Sequence, residues 1–180
     1  MKRLLCIVSV AAWLVVVHSS LVAADMVVQA CFSPQGKCSA HISREIDQAK
    51  KEILVAVYVF TSEQLAEALA QAKKRGVVVQ VVVDQEFDAR NDKSKVKYLE
   101  QQRIAVRRHS GQKAATADRD NGLMHQKFAV IDRNTLLTGS YNWTHSADKL
   151  NDENLLMFRD AGPLAEEYRK VFMQLWERKR

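Results

Sequence analysis

The stretch ILVAVYVFTSEQLAEALAQAKKRGVVVQVVVD, residues 53–84, decides the fold. Ile53–Phe60 is an unbroken apolar run rich in β-branched residues, the pattern of a strand covered on both faces. Thr61-Ser62 supplies a helix cap, and Leu65, Leu69 and Ala72 recur at helical spacing over about Glu63–Arg75. Gly76 ends that helix, and Val77–Val83 is a second doubly buried strand, closed by Asp84.

The same alternation continues outward. Met26–Cys31 reads as a strand, Ser33-Pro34-Gln35-Gly36 as a turn, and Ser39–Lys51 as a helix with Ile42, Ile46 and Ala49 on one side. Toward the C-terminus, Lys93–Gln102 is a basic helix and Ile104–Arg108 a short strand. Residues 109–122, HSGQKAATADRDNG, are polar and without periodicity. Strands follow at Leu123–Ile131, Thr135–Thr138 and Glu153–Phe158, and Pro163–Arg178 makes a last helix with Leu164, Tyr168, Phe172 and Leu175 facing inward. The expected class is α/β: a mixed, largely parallel β-sheet flanked by helices on both faces. There is no internal repeat and no linker, so residues 25–180 are expected to form one domain.

Residues 1–24 differ from the rest. Lys2-Arg3 precedes the apolar run Leu4–Val17, and Val22-Ala23-Ala24 offers a small-residue cleavage site, the pattern of a secretory signal peptide. The apolar run is shorter than the roughly 20 residues of a membrane span, and His18-Ser19-Ser20 interrupts it. A periplasmic or secreted protein without stable membrane association is therefore expected; the alternative is an uncleaved N-terminal anchor. The leader carries Lys2 and Arg3 and no acid, so the net charge of +6 becomes +4 without it. That excess suits a polyanionic partner without identifying one. Cys31 and Cys38 flank a Pro-Gly turn in CFSPQGKC, which in an exported chain favours a local disulfide over a metal site.

Chemistry concentrates in His125-Gln126-Lys127-Phe128-Ala129-Val130-Ile131-Asp132 and in Thr138-Gly139-Ser140-Tyr141-Asn142-Trp143. On a strand, residues two apart share a face, so His125 and Lys127 project together while Phe128 and Val130 enter the core. An imidazole nitrogen can attack phosphorus, and a neighbouring ammonium offsets charge on the non-bridging oxygens. Ser140 and Asn142 add neutral donors for phosphate, and Glu153 is placed to orient His125 through the imidazole's second nitrogen. Asp132 falls on the opposite face by parity and is given a structural role.

The pattern HxKxxxxD followed by Gly-Ser resembles the phospholipase D superfamily, on His125, Lys127, Asp132 and Gly139-Ser140. The YNWT after Gly-Ser, the NDEN at 151–154 and the stretch 58–84 extend the likeness to that superfamily's small bacterial endonucleases. The resemblance implies a covalent phosphohistidine on His125, phosphate bound by Lys127 and Asn142, a pocket supported by Ser140, and no metal or other cofactor. It places Asp132 with His125, Lys127 and Glu153 in the catalytic motif. It also implies two motif histidines per site. His18, His41, His109 and His145 lack a lysine two residues on, so the resemblance implies a homodimer with the active site at its two-fold axis.

Lys113 and Arg119, in the loop before the active strand, are candidates for contacts to a nucleic-acid backbone. The acids Asp84, Glu86 and Asp88 suit a solvated loop better than a metal site. Trp143 reads as a packing anchor rather than a base-stacking ring. A nonspecific endonuclease acting on DNA, with RNA as a further substrate, is the leading function. A phospholipase D-type lipid phosphodiesterase is the alternative, and it should show an exposed apolar rim near the site; the polar 109–122 loop offers none. A catalytically silent nucleic-acid-binding module is the third.

Overall fold

A computed structural model describes residues 25–111 and 122–178. In chain order it contains β1 (Val27–Ser33), α1 (Cys38–Gln48), β2 (Glu52–Val57), α2 (Glu63–Lys74), β3 (Val78–Asp84), α3 (Gln85–Arg90), α4 (Val96–Gln101), β4 (Ala105–His109), β5 (Lys127–Ile131), β6 (Thr135–Gly139), α5 (His145–Lys149), β7 (Glu153–Arg159) and α6 (Gly162–Glu177). The seven strands form one sheet in the order β1-β7-β6-β5-β2-β3-β4.

The doubly buried strands sort their side chains by parity. Ile53, Val55 and Val57 of β2, with Val79, Val81 and Val83 of β3, pack under α1, α2 and α4 together with Ile42, Ile46, Leu65, Leu69 and Leu99. Leu54, Ala56 and Val82 face the other way, with Phe128, Val130 and Leu136, against Ala165, Phe172 and Leu175 of α6. Helices thus cover both faces of a mixed sheet, and the α/β sandwich expected from the sequence is the fold observed. Ser62 caps α2 by accepting the Leu65 amide at 3.3 Å.

The balance of directions differs from the expectation. Among the described strands, β2–β3 and β3–β4 pair parallel, each joined through helices. The pairs β1–β7, β2–β5, β5–β6 and β6–β7 are antiparallel, so the sheet is not largely parallel. The reason is chain length: residues 132–134 leave β5 and β6 room only for a hairpin, whereas a parallel partner needs a long crossover. Asp132 and Arg133 take positive φ of 52° and 58° in that turn. The Asp132 carboxylate accepts the amides of Lys50 (2.8 Å), Lys51 (2.7 Å) and Glu52 (3.0 Å), tying the hairpin to the entry of β2.

Cys31 and Cys38 are joined by a disulfide that ties β1 to the start of α1. The leader of residues 1–24, and with it the cleavage-site expectation, lies outside the described residues. Among those described, no helix is long and apolar enough to cross a membrane.

Candidate active site at the Lys127 end of the sheet

The functional side chains gather where β5 begins and β6 ends. Strand pairing in β5 starts only at Lys127, so His125 stands on an extended segment outside the sheet and is exposed. Two backbone bonds hold that segment: the Met124 amide donates to Asp84 Oδ2 (3.0 Å), and the Gln126 carbonyl accepts the Tyr58 amide (2.8 Å). Met124 itself is buried. Lys127 Nζ lies 3.2 Å from His125 Nδ1 and 3.3 Å from Nε2, and donates to the His125 carbonyl at 3.0 Å. The imidazole–ammonium pair expected from the spacing is therefore formed, with the lysine on the strand and the histidine just before it.

Gly139 ends β6 at φ +149°, and a Cβ there would run into the Asn154 carbonyl. That close approach lets the Asn154 carbonyl accept the amides of Ser140 (3.1 Å) and Tyr141 (3.3 Å). Ser140 Oγ donates to Glu153 Oε2 at 2.5 Å and accepts the Asn154 amide at 3.0 Å. Asn151 Nδ2 donates to Glu153 Oε1 at 3.1 Å. Both oxygens of Glu153 are thus engaged by Ser140 and Asn151, and it makes no hydrogen bond to His125 within the chain. The Asn142 Oδ1, two residues past Ser140, is buried without a hydrogen-bond partner among the described residues.

Behind the loop, buried Asp148 accepts the Ser39 amide and the Tyr141 hydroxyl, each at 2.9 Å. Burial works against its charge, but hydrogen bonds from Ser39, Lys149 and Tyr141 outweigh it and bring its pKa down to about 2. The Ser140–Asn142 segment is thereby fixed from below as well as through Asn154.

Residues 42–176 match the family described as cardiolipin synthase, PLD-like domain. The chain belongs to the phospholipase D superfamily. The chain is 35% identical over 149 residues to the mitochondrial cardiolipin hydrolase of Canis lupus familiaris, covering 82% of this chain and 53% of that protein. It is 33% identical over 141 residues to the phospholipase D of Rickettsia felis, covering 78% and 65%. It thus spans about half to two-thirds of the length of these curated relatives. Among solved structures, Nuc from Salmonella typhimurium, a phospholipase D family member, superposes with a TM-score of 0.75 at 29% identity, covering 87% of this chain and 97% of that one. NucT from Helicobacter pylori superposes with a TM-score of 0.79 at 27% identity, covering 85% and 97%.

Within this phospholipase D-like site, His125, Lys127, Ser140, Asn142 and Glu153 come to one end of the sheet. Asp132 does not. It follows β5 at the opposite end, its carboxylate spent on three backbone amides, so its place in the catalytic motif is corrected to the structural role that strand parity gave it. Lys113 and Arg119 lie outside the described residues. Trp143 is buried edge-on against Phe60 (5.2 Å between ring centres), as a packing anchor would be. Asp84 is not on a solvated loop: it is only 1% exposed. The sequence reading also passed over Tyr58, whose ring centre is 4.6 Å from that of His125. The missed signal was a tyrosine interrupting an otherwise aliphatic strand end. A pocket of about 540 Å³ lined by Met26, Asn134, Asp160 and Pro163 opens at the other end of the sheet, away from this chemistry.

Burial lowers the Lys127 pKa from the usual lysine value of 10.5, and the charge of Glu153 pulls it back up. The phosphate-binding role that the resemblance implies for Lys127 needs the ammonium form. The alkaline limb of kcat/KM should therefore fall at lower pH than an ordinary lysine would give, and Glu153→Gln should move it lower still. A pH–rate profile checks this; a limb that Lys127→Met leaves in place would assign it to another group.

Proposed function

We propose that this protein is a metal-independent phosphodiesterase, foremost a nonspecific endonuclease on DNA and also on RNA, acting through a phosphohistidine on His125 in a homodimer. The observation that carries it is the His125–Lys127 pair at 3.2 Å, set beside Ser140, Asn142 and Glu153 at one end of the sheet. An unprotonated His125 nitrogen attacks phosphorus as the leaving alkoxide departs, while Lys127 and Asn142 hold the non-bridging oxygens. The partner copy's His125 protonates the leaving oxygen, and water then releases the phosphate from the first histidine. Nucleic acid is favoured by the net positive charge, the polar 109–122 segment, and a chain that covers nearly all of Nuc and NucT.

The test is cleavage of plasmid DNA and of a single-stranded oligonucleotide by the purified protein in excess EDTA. Cleavage supports the nuclease; a folded dimer that cuts neither overturns it. A lipid phosphodiesterase is the second reading, favoured by the similarity to a cardiolipin hydrolase and a phospholipase D and by two exposed leucines bordering the site. Leu123, two residues before His125, is 49% exposed, and Leu150, next to Asn151, is 71% exposed. Release of headgroup from anionic phospholipid vesicles, with nucleic acid left intact, would select it.

The shared site makes its own prediction. Wild-type and His125→Ala chains, co-refolded in equal amounts, should retain about one quarter of the specific activity, because half of the dimers are mixed and each site needs two histidines. Retention of about half would show that each chain works alone.

A further inference from the structure

We propose that Asp84 is a positioning residue for the nucleophile, its one buried carboxylate setting both the backbone and the aromatic side of His125. This rests on His125 being the reacting group, whichever phosphodiester is cut. Since His125 precedes the first paired residue of β5, the β5 ladder does not include it. Besides the Tyr58–Gln126 backbone bond, its restraints converge on Asp84. Asp84 Oδ2 accepts the amide of Met124, the residue immediately before His125. Asp84 Oδ1 accepts the Phe87 amide at 2.9 Å and so fixes the start of α3. From α3, the Phe87 ring packs on Tyr58 (5.4 Å between centres), and Tyr58 packs on the imidazole of His125 at 4.6 Å. Tyr58 also lies under Lys127 Nζ, 5.3 Å from its ring centre, so this one ring borders both His125 and Lys127.

A simple helix cap would explain one oxygen of Asp84 but not the other. An N-cap needs a single side-chain acceptor for an N2 or N3 amide. Here a carboxylate is buried at the end of β3, and its second oxygen reaches 40 residues along the chain to the segment carrying His125. Buried polar oxygens need hydrogen bonds to offset the lost hydration. Among the described residues, the Phe87 and Met124 amides supply them to Asp84, and both lead to the nucleophile. Asp84 touches neither His125 nor the phosphate site, and its effect is one of placement, on which an attack distance depends steeply.

The experiment compares the full protein with Asp84→Asn and Phe87→Leu, the latter changing a ring that meets Tyr58 but not His125. One readout is the ring-proton NMR resonance of His125, assigned by its loss in His125→Ala and shifted by the face of Tyr58. It needs no turnover, so it stands even if the nuclease activity does not. The other is kcat and KM on bis(p-nitrophenyl) phosphate. In folded Asp84→Asn the resonance should move and kcat should fall about 10- to 100-fold with KM changed much less. Phe87→Leu should move both in the same direction by less. A folded Asp84→Asn with wild-type resonance, or with wild-type kcat, overturns the proposal. Should Asp84→Asn fail to fold, Phe87→Leu decides: a shifted resonance with reduced kcat supports the relay, and wild-type values of either overturn it.

Discussion

His125→Ala is expected to abolish phosphodiester cleavage, lowering kcat by at least about 10,000-fold while leaving the fold intact. The size follows from what is removed. A covalent route splits one difficult displacement into two easier ones, and without the nitrogen nucleophile neither step remains. In the proposed dimer the same substitution also removes the proton donor, because each chain supplies both roles. Structural cost should be small, since the ring is exposed and its contacts are to Lys127 and Tyr58. The measurement is initial rate in EDTA beside a thermal melt. Acid quenching of the wild type in mid-turnover should also trap phosphate on His125 as an acid-labile adduct, absent from the variant. Cleavage surviving in His125→Ala at more than a few per cent would place the chemistry elsewhere.

The sheet and the site differed in how far the sequence disclosed them. Val55, Val57, Val81 and Val83 announced doubly covered strands, because burial on both faces leaves no polar alternation, and Ser62 and Gly76 marked the ends of α2. Strand direction was not legible: it depends on which strands become neighbours, and apolar runs do not encode that. The short helices α3 (Gln85–Arg90) and α5 (His145–Lys149) escaped because neither sets an apolar repeat at helical spacing, as Val96 and Leu99 do in α4. His125 and Lys127 were legible as a spaced pair, although parity explained them only in part, since the histidine lies before the strand. The remaining contacts of the site are tertiary. Ser140 on Glu153, Asp84 on Met124 and Tyr58 under the imidazole each join segments whose proximity appears only when the sheet closes.

Asp132→Ala should act on stability rather than chemistry, although the residue sits in the same motif as His125. Its carboxylate accepts three consecutive amides, from Lys50, Lys51 and Glu52, and its own amide donates to the Glu52 carbonyl at 2.9 Å. These bonds lock the β5–β6 turn to the beginning of β2, the strand that pairs with β5 on one side and β3 on the other. Two of the three amides are near solvent, so water recovers part of what alanine forfeits. A loss of about 2–3 kcal/mol is expected, a Tm drop on the order of 5–10 °C for a domain of this size. Alanine also tolerates the positive φ of 52° less well than aspartate or asparagine does. Asp132→Asn keeps one acceptor oxygen and the preference for that backbone conformation, so it should lose roughly half as much. Urea unfolding gives the stability, and kcat measured well below the transition gives the chemistry. Wild-type turnover in a destabilised Asp132→Ala would separate the two halves of the motif: His125 and Lys127 face the substrate, and Asp132 holds together the turn at the far end of the strand. A large fall in kcat at unchanged stability would instead return Asp132 to the reacting site, where its three backbone amides leave it no reach.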